Sequence, residues 1–296
     1  MDRRTEGVNA LRRHFACTQC GACCNRAPEL ELGECAAYAD TFALQLMMRI
    51  YSLPRSLIDY DSPLSREEAS AEFYESKRLL GLFAAASWHA KVRHSDRVVD
   101  YVQYLSLSVL PVDPGCGACP ALAGDRCGIY ACRPLSCRSV PLHYSRPEAS
   151  GTRDLDAFTA TQGYRCDTSS QAPLVLAQGK IVDEVLRKAR ADALGQADRD
   201  AKWKAALVRA MKTGAQGLPD PREVEANADR GALTVSMQAA WRLGETAGAL
   251  APGEAGKLLG KQIAVIDAIQ QSGVASQQAA ATLVALRREY ATALAL

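Results

Sequence analysis

Residues 15–24 read Phe-Ala-Cys-Thr-Gln-Cys-Gly-Ala-Cys-Cys, which places Cys17, Cys20, Cys23 and Cys24 within a single short stretch. A second group, Cys119, Cys127 and Cys137, follows about a hundred residues later. Each group has too few well-spaced thiols to close a cage alone, so the fold has to bring the two together around metal. Thiolates are soft ligands that select zinc or iron–sulfur over hard cations, and a two-residue gap lets both sulfurs of a tight turn reach one centre. The chain is therefore expected to be a metal protein.

Working outward, all 11 cysteines fall between residues 17 and 166. In a reducing cytosol such crowding favours metal over disulfides, and the odd count argues further against full pairing. The 296 residues are 48% hydrophobic and 23% charged, a soluble globular balance able to bury one large or two ordinary cores. A net charge of +2 and a pI near 8.0 give no strong electrostatic footprint, so nucleic acid is not expected as a partner. Arg3, Arg4, Arg12 and Arg13 precede no apolar stretch, and the runs at 83–86 and 105–112 are too short or interrupted to span a bilayer. The expectation is a cytoplasmic protein with no membrane partner.

Composition shifts near residue 170. The first part is rich in Cys, Gly and Pro, whereas 171–296 lacks cysteine and is dominated by Ala, Leu, Gln, Arg and Lys. We expect an α+β, mostly α fold, with a metal-organised cysteine-rich module over 1–170 and a helical domain over 171–296. Ser65 and Glu68 stand at capping-box spacing and predict helix from 65 to 93, as one long element or two short ones. Alternation of Val99, Tyr101, Leu105, Leu107 and Val109 with polar neighbours predicts a strand over 98–110, ended by Pro111 and Pro114. In the tail, helices are predicted over 174–194, 199–213, 221–247, 254–271 and 276–294, with Asp220-Pro221 as a cap and first-turn proline.

Cys17, Cys20 and Cys23 match the first three positions of the bacterial ferredoxin run, with the fourth ligand missing locally. Cys24 directly follows, and adjacent side chains in a turn diverge, so the pair is suited to two different centres. The three-then-two spacing of radical S-adenosylmethionine enzymes is absent. Phe15, Cys17, Cys20-Gly21 and Cys23-Cys24, followed by Cys119-Pro120-Ala121-Leu122, Cys127-Gly128-Ile129-Tyr130, Arg133-Pro134, Cys137-Arg138 and Pro141, make a specific ordered pattern. It resembles the cysteine-cluster (CxxCxxCC) family of zinc- or iron-chelating domains, whose members include flagellin lysine N-methylase-like proteins and proteins labelled iron–sulfur oxidoreductases. The resemblance covers roughly residues 15–141, and Cys166 is similar to a late ligand in some members. It implies metal at Cys17, Cys20, Cys23, Cys24, Cys119, Cys127, Cys137 and Cys166, a thiol set sufficient for two four-thiolate centres. Cys35, Cys116 and Cys132 have no place in that pattern, and the helical tail lies outside it.

Around an anionic four-thiolate cubane, Arg133 and Arg138 are candidates to donate hydrogen bonds to sulfur and tune its potential, against a plain backbone or surface role. Pro134 and Pro141 are expected to fix the turns presenting Cys137, and Tyr130 to screen the cluster from water. Cys116 and Cys119 form another two-residue-gap pair that, with Cys17 and Cys20, would make an ordinary four-thiolate zinc site. His143 is a weaker ligand candidate than a core or surface residue. His89 and His94 are expected at the end of a helix, His14 in a loop, and Glu29, Glu31 and Glu34 on a solvated face. No glycine-rich nucleotide loop follows a strand.

The leading expectation is an iron–sulfur protein, a [4Fe–4S] cluster foremost, with a redox role or one in modifying an unidentified protein or small molecule. The alternatives are a zinc-stabilised protein-interaction module and, through the resemblance, an S-adenosylmethionine-dependent lysine N-methylase.

Overall fold

A computed structural model describes residues 12–24, 26–94, 97–115, 117–227 and 231–295. Cys116, Arg3 and Arg4 lie outside the described residues. The protein is α+β, with helix outweighing strand. Its largest sheet has four antiparallel strands in the order β3-β4-β2-β9, where β2 is Leu44–Pro54, β3 is Ala84–His94, β4 is Arg97–Pro111 and β9 is Ala232–Ser236. A small sheet joins β1 (Arg12–His14) to the hairpin of β7 (Leu174–Ala177) and β8 (Lys180–Ile181). A two-residue hairpin, β5 (Leu122–Ala123) and β6 (Arg126–Cys127), carries one of the thiols.

The helix α1 spans Arg66–Phe83 and begins at the predicted capping box: Ser65 Oγ accepts from Glu68 N–H, while Glu68 accepts from Ser65 N–H at 3.2 Å. It stops ten residues short of the expected end, because Ala84 turns extended and the chain enters β3, which pairs with β4 from Ala84↔Ser106 to His94↔Arg97. His89 and His94 therefore sit on a strand, and His14 on β1. The strand predicted over 98–110 is β4. In the tail, 174–181 is the β7–β8 hairpin instead of helix, and the helix predicted over 221–247 is three elements: α6 (Pro221–Ala226), β9 and α7 (Gln238–Thr246). Helices α4 (Glu184–Arg199), α5 (Ala201–Thr213), α8 (Glu254–Ser272) and α9 (Gln277–Leu294) complete that part, while the short α2 (Leu135–Arg138) carries Cys137 of the second thiol group and α3 (Gly151–Thr159) lies between that group and residue 170.

The expected units 1–170 and 171–296 share one main core. Phe42 just ahead of β2, with Leu44, Leu46, Met48, Leu105 and Leu107 from the sheet, packs with Trp203, Leu207, Trp241, Leu258, Leu283 and Tyr290 from the tail. Polar side chains stitch the same junction. Gln262 of α8, fully buried, accepts from Leu44 N–H at 2.7 Å and donates to the carbonyls of Ala39 and Phe42 at 2.8 Å each. Tyr290 of α9 donates to the Leu44 carbonyl at 2.8 Å and accepts from Met237 N–H at 3.1 Å. Gln262→Met keeps the volume but leaves three buried backbone groups without partners, each worth about 1–3 kcal/mol. The expected outcome is a loss of about 3 kcal/mol or more in denaturant unfolding; a loss below about 0.5 kcal/mol would show that these groups find other partners.

Candidate metal centre

Three backbone ties bring the cysteine-bearing segments together. Ala16 exchanges hydrogen bonds with Asp167 (2.8 and 3.0 Å), and Thr18 Oγ1 donates to the Arg165 carbonyl at 2.8 Å, so Cys17 lies beside Cys166. Cys119 N–H donates to the Cys24 carbonyl at 2.7 Å, joining the two main groups directly. The pairing of Leu122 with Cys127, and the Gly128 N–H donated to the Ala121 carbonyl at 2.9 Å, hold Cys127 next to Cys119. Cys137 rides on α2, whose first amide, Leu135 N–H, is capped by Glu34 Oε1 at 2.8 Å.

The first loop turns on Gly21, at φ +69, packed so closely on the β5–β6 hairpin that an added Cβ would stand 2.4 Å from the Asp125 carbonyl oxygen. A backbone atom cannot swing aside as a side chain tip does. Gly21→Ala is expected to cost about 1–2 kcal/mol through the left-handed backbone alone and to push the two thiol loops apart. Gly124→Ala carries similar backbone strain (φ +63) with open space around its Cβ, so it serves as the comparison. Metal content should fall in the first variant and hold in the second; equal retention would show that the close approach is unimportant.

Burial, hydrogen bonds and neighbouring charges shift several of these thiols. Cys24 is raised, first by its hydrogen bond with Cys23, then by burial and by the charges of Cys23, Cys119 and Cys127. Burial pushes Cys137 up to about 12, with Cys119, Cys23 and Cys127 adding to it. Burial pushes Cys166 up to about 11, helped by Cys17, Cys20 and Cys23. Cys23 is lowered to about 6, mainly by the hydrogen bond from Cys24, with burial opposing and Arg133 assisting. Cys20 is lowered chiefly by the Ala22 N–H. Crowded thiolates of this kind repel one another until a cation joins them.

The backbone ties set Cys17 beside Cys166 and Cys24 beside Cys119. Among the described residues, no three His, Cys, Asp or Glu side chains close on a single point as a one-ion cage. A cubane instead spreads its four irons over separate corners, so its thiolates need not converge so tightly. The donor set, all soft sulfur, fits such a cluster. Cys23 and Cys24, expected to diverge, are instead hydrogen-bonded to each other.

Arg133 stacks on the Tyr130 ring, 3.9 Å from its centroid, and Tyr130 is hydrogen-bonded to Cys17 and feels Cys127. Arg133 and Tyr130 therefore stand over the thiols. Arg138 turns away toward Asp192 of α4 (3.5 Å), while its Nε is buried without a hydrogen-bond partner. Cys35 sits in the main core, where its sulfur accepts from Trp241 Nε1 at 3.2 Å, and Cys132 is exposed, its carbonyl accepting from Tyr38 Oη at 2.7 Å. His143 is half-buried, bonded to Ser145 Oγ at 2.8 Å, and desolvation with Arg146 and Arg26 nearby lowers it to about 4. An open groove of about 550 Å³ by Arg55, Phe73, Tyr74 and Lys77 is lined by none of the cysteines.

The acidic residues beyond the first loop correct their expected solvated placement. Glu31 is 6% exposed, receives Tyr144 Oη at 2.8 Å and faces the buried Lys204 ammonium at 3.5 Å, which also donates to the Phe83 carbonyl at 2.9 Å. Glu34 accepts from Glu31 N–H as well as from Leu135. This network backs the thiol loops, and sequence reading missed it. Its one visible sign is Lys204 falling in line with Leu207, Val208 and Met211 on the apolar face of α5.

No protein-family model, no curated protein and no solved structure matches the chain. The candidate site rests on its own residues.

Proposed function

We propose that the chain is an iron–sulfur protein that holds [4Fe–4S] iron through Cys17, Cys20, Cys23, Cys24, Cys119, Cys127, Cys137 and Cys166. The observation that carries this reading is the set of backbone ties that bring Cys17 to Cys166 and Cys24 to Cys119 from three distant, cysteine-bearing segments. Such a group supplies one-electron transfer when bound. The protein residues orient and tune: Gly21 permits the close approach of the loops, Glu34 caps the helix that presents Cys137, and the Arg133 guanidinium beside Cys23 offsets anionic charge. The Tyr130 ring and the apolar side chains around Cys17 and Cys166 limit water, which shifts the potential. The role served is redox chemistry or modification of a protein or small molecule.

The test is anaerobic purification of the full chain followed by iron and acid-labile sulfide determination and visible and paramagnetic spectroscopy. A brown protein whose absorption bleaches on reduction is expected. A colourless protein with stoichiometric zinc would overturn the iron–sulfur reading in favour of a zinc-stabilised interaction module.

A further inference from the structure

The groove beside α1 combines an unpaired strand margin with an excess of positive charge. β2 makes its last tie to β4 where Arg55 N–H donates to the Asp100 carbonyl at 2.8 Å, and the chain then leaves the sheet for the 3-10 turn Leu57–Asp59. β4 begins at Arg97, so Arg97, Val98 and Val99 pair with β3 on one side and, among the described residues, with no strand on the other. Alternate residues of a strand direct their backbone groups to the same edge. The Asp100 carbonyl faces β2, which aims the N–H and C=O of Val98 to the side that β2 has left, and Val98 lines the groove of about 550 Å³. Tyr74 and Val98 are 60% and 55% exposed there, an apolar surface beside open backbone groups.

The charge around this margin is one-sided. Arg55 and Lys77 line the groove, and Lys91 and Arg93 stand on β3 opposite Asp100 and Val98; all four are exposed and form no ion pair among the described residues. Arg97 is paired with Asp59 at 3.3 Å, which leaves Asp100 as the lining acid outside that pair. A chain of net charge +2 thus sets five cations against two acids at one place. We propose that the groove docks an extended acidic peptide segment of a partner protein, added as a short strand beside Arg97–Val99. Its backbone bonds the Val98 N–H and C=O, its carboxylates meet Arg55, Lys77 and Arg93, and an apolar side chain covers Tyr74 and Val98. A continuous phosphate backbone or an anionic lipid surface fits less well, because Asp59 and Asp100 oppose it and neither offers donors and acceptors in register with Val98. The docking is independent of what the thiols hold, since no cysteine lines the groove.

The test titrates the full chain, purified anaerobically, into a capped, labelled heptapeptide of Glu interrupted by Leu and follows fluorescence anisotropy at low salt. Saturable binding is expected, weakening as added salt screens the exposed charges. Hydrogen exchange at the Val98 amide should slow in the complex. Arg55→Glu combined with Lys77→Glu should weaken binding at least about tenfold and leave the melting profile unchanged, since both side chains are exposed. The same peptide N-methylated at every amide keeps its side chains but loses its backbone donors, and it should also bind at least about tenfold less tightly. Where the double variant alters the melting profile, Val98 protection and the N-methylated peptide decide. Absence of binding at about 1 mM peptide overturns the proposal. Undiminished binding by a normally folded double variant overturns it too, as does protection that appears along β3 and not at Val98. Tighter binding to phosphatidylserine vesicles or to a single-stranded oligonucleotide than to the peptide would replace the acidic segment with a lipid or nucleic-acid partner.

Discussion

Stripping metal from the loaded chain lowers its melting temperature and frees the thiol loops while leaving the main core folded. The segments that converge here, around Cys17, Cys119 and Cys166, are far apart in sequence, so a metal centre closes long loops and its binding free energy becomes folding free energy. Structural zinc sites are worth on the order of 10 kcal/mol of apparent binding free energy at neutral pH, which sets the scale. The protein contacts that would remain include the Ala16–Asp167 pair, the Thr18–Arg165 and Cys119–Cys24 bonds, the Glu34 cap on Leu135 and the β5–β6 hairpin. Leu46, Leu105 and Leu107 belong instead to a core reinforced by Gln262 and Tyr290. Hydrogen exchange should therefore accelerate at the amides of Ala16, Cys119 and Gly128 and stay slow at those of β2 and β4. A stripped chain with an unchanged melting profile and unchanged protection in those loops would defeat the proposed convergence.

Replacing Lys204 by Met is expected to cost about 3–5 kcal/mol, because it leaves a buried carboxylate without its counter-charge. Glu31 would keep only the Tyr144 hydroxyl and the Phe83 carbonyl would lose its donor. The pH dependence has a definite sign. Burial already raises Glu31 above its ordinary value of 4.5, with Lys204 pulling downward, so removing the ammonium raises it further. A carboxyl raised on folding favours the folded state in acid and loses that contribution as pH rises through the folded value. The deficit of Lys204→Met is thus smallest below pH 4.5 and grows toward neutrality. Urea unfolding at acidic and neutral pH checks this, and equal deficits at both would show that Glu31 does not carry the charge.

What could be read in advance depended on whether the signal was local. The Ser65–Glu68 capping box, the alternation along 98–110 and the glycine- and serine-marked limits of α8 and α9 are all short-range, and each of these starts or elements is present. The central strand β2 has no such sign, since Leu44, Leu46, Met47 and Met48 are all buried and alternation disappears. Ala84–Ala86 read as helix formers, yet pairing with β4 overrides that weak preference. The short β9, Ala-Leu-Thr-Val-Ser, is hidden between helical neighbours and exists because β2 offers it an edge. In the site, residue type and spacing single out the candidate thiols. The place of Lys204 on the apolar face of α5 is a local sign, but its partner Glu31 cannot be read from it, because a buried ion pair between distant residues is a property of the packed chain.

The Gln262 and Tyr290 contacts also give the chain a calendar. During synthesis from the N-terminus, the thiol loops and the long strands leave the ribosome well before α8 and α9. Until they arrive, Ala39, Phe42 and Leu44 lack the side chains that satisfy them, and the 3-10 helix Leu32–Tyr38 lacks Trp241 against Cys35. That helix carries Glu34, the cap of the Cys137 helix. The framework behind the second thiol group is therefore completed only once α8 and α9 have been made, so thiol segments synthesised early wait on a much later stretch of the polypeptide for their support.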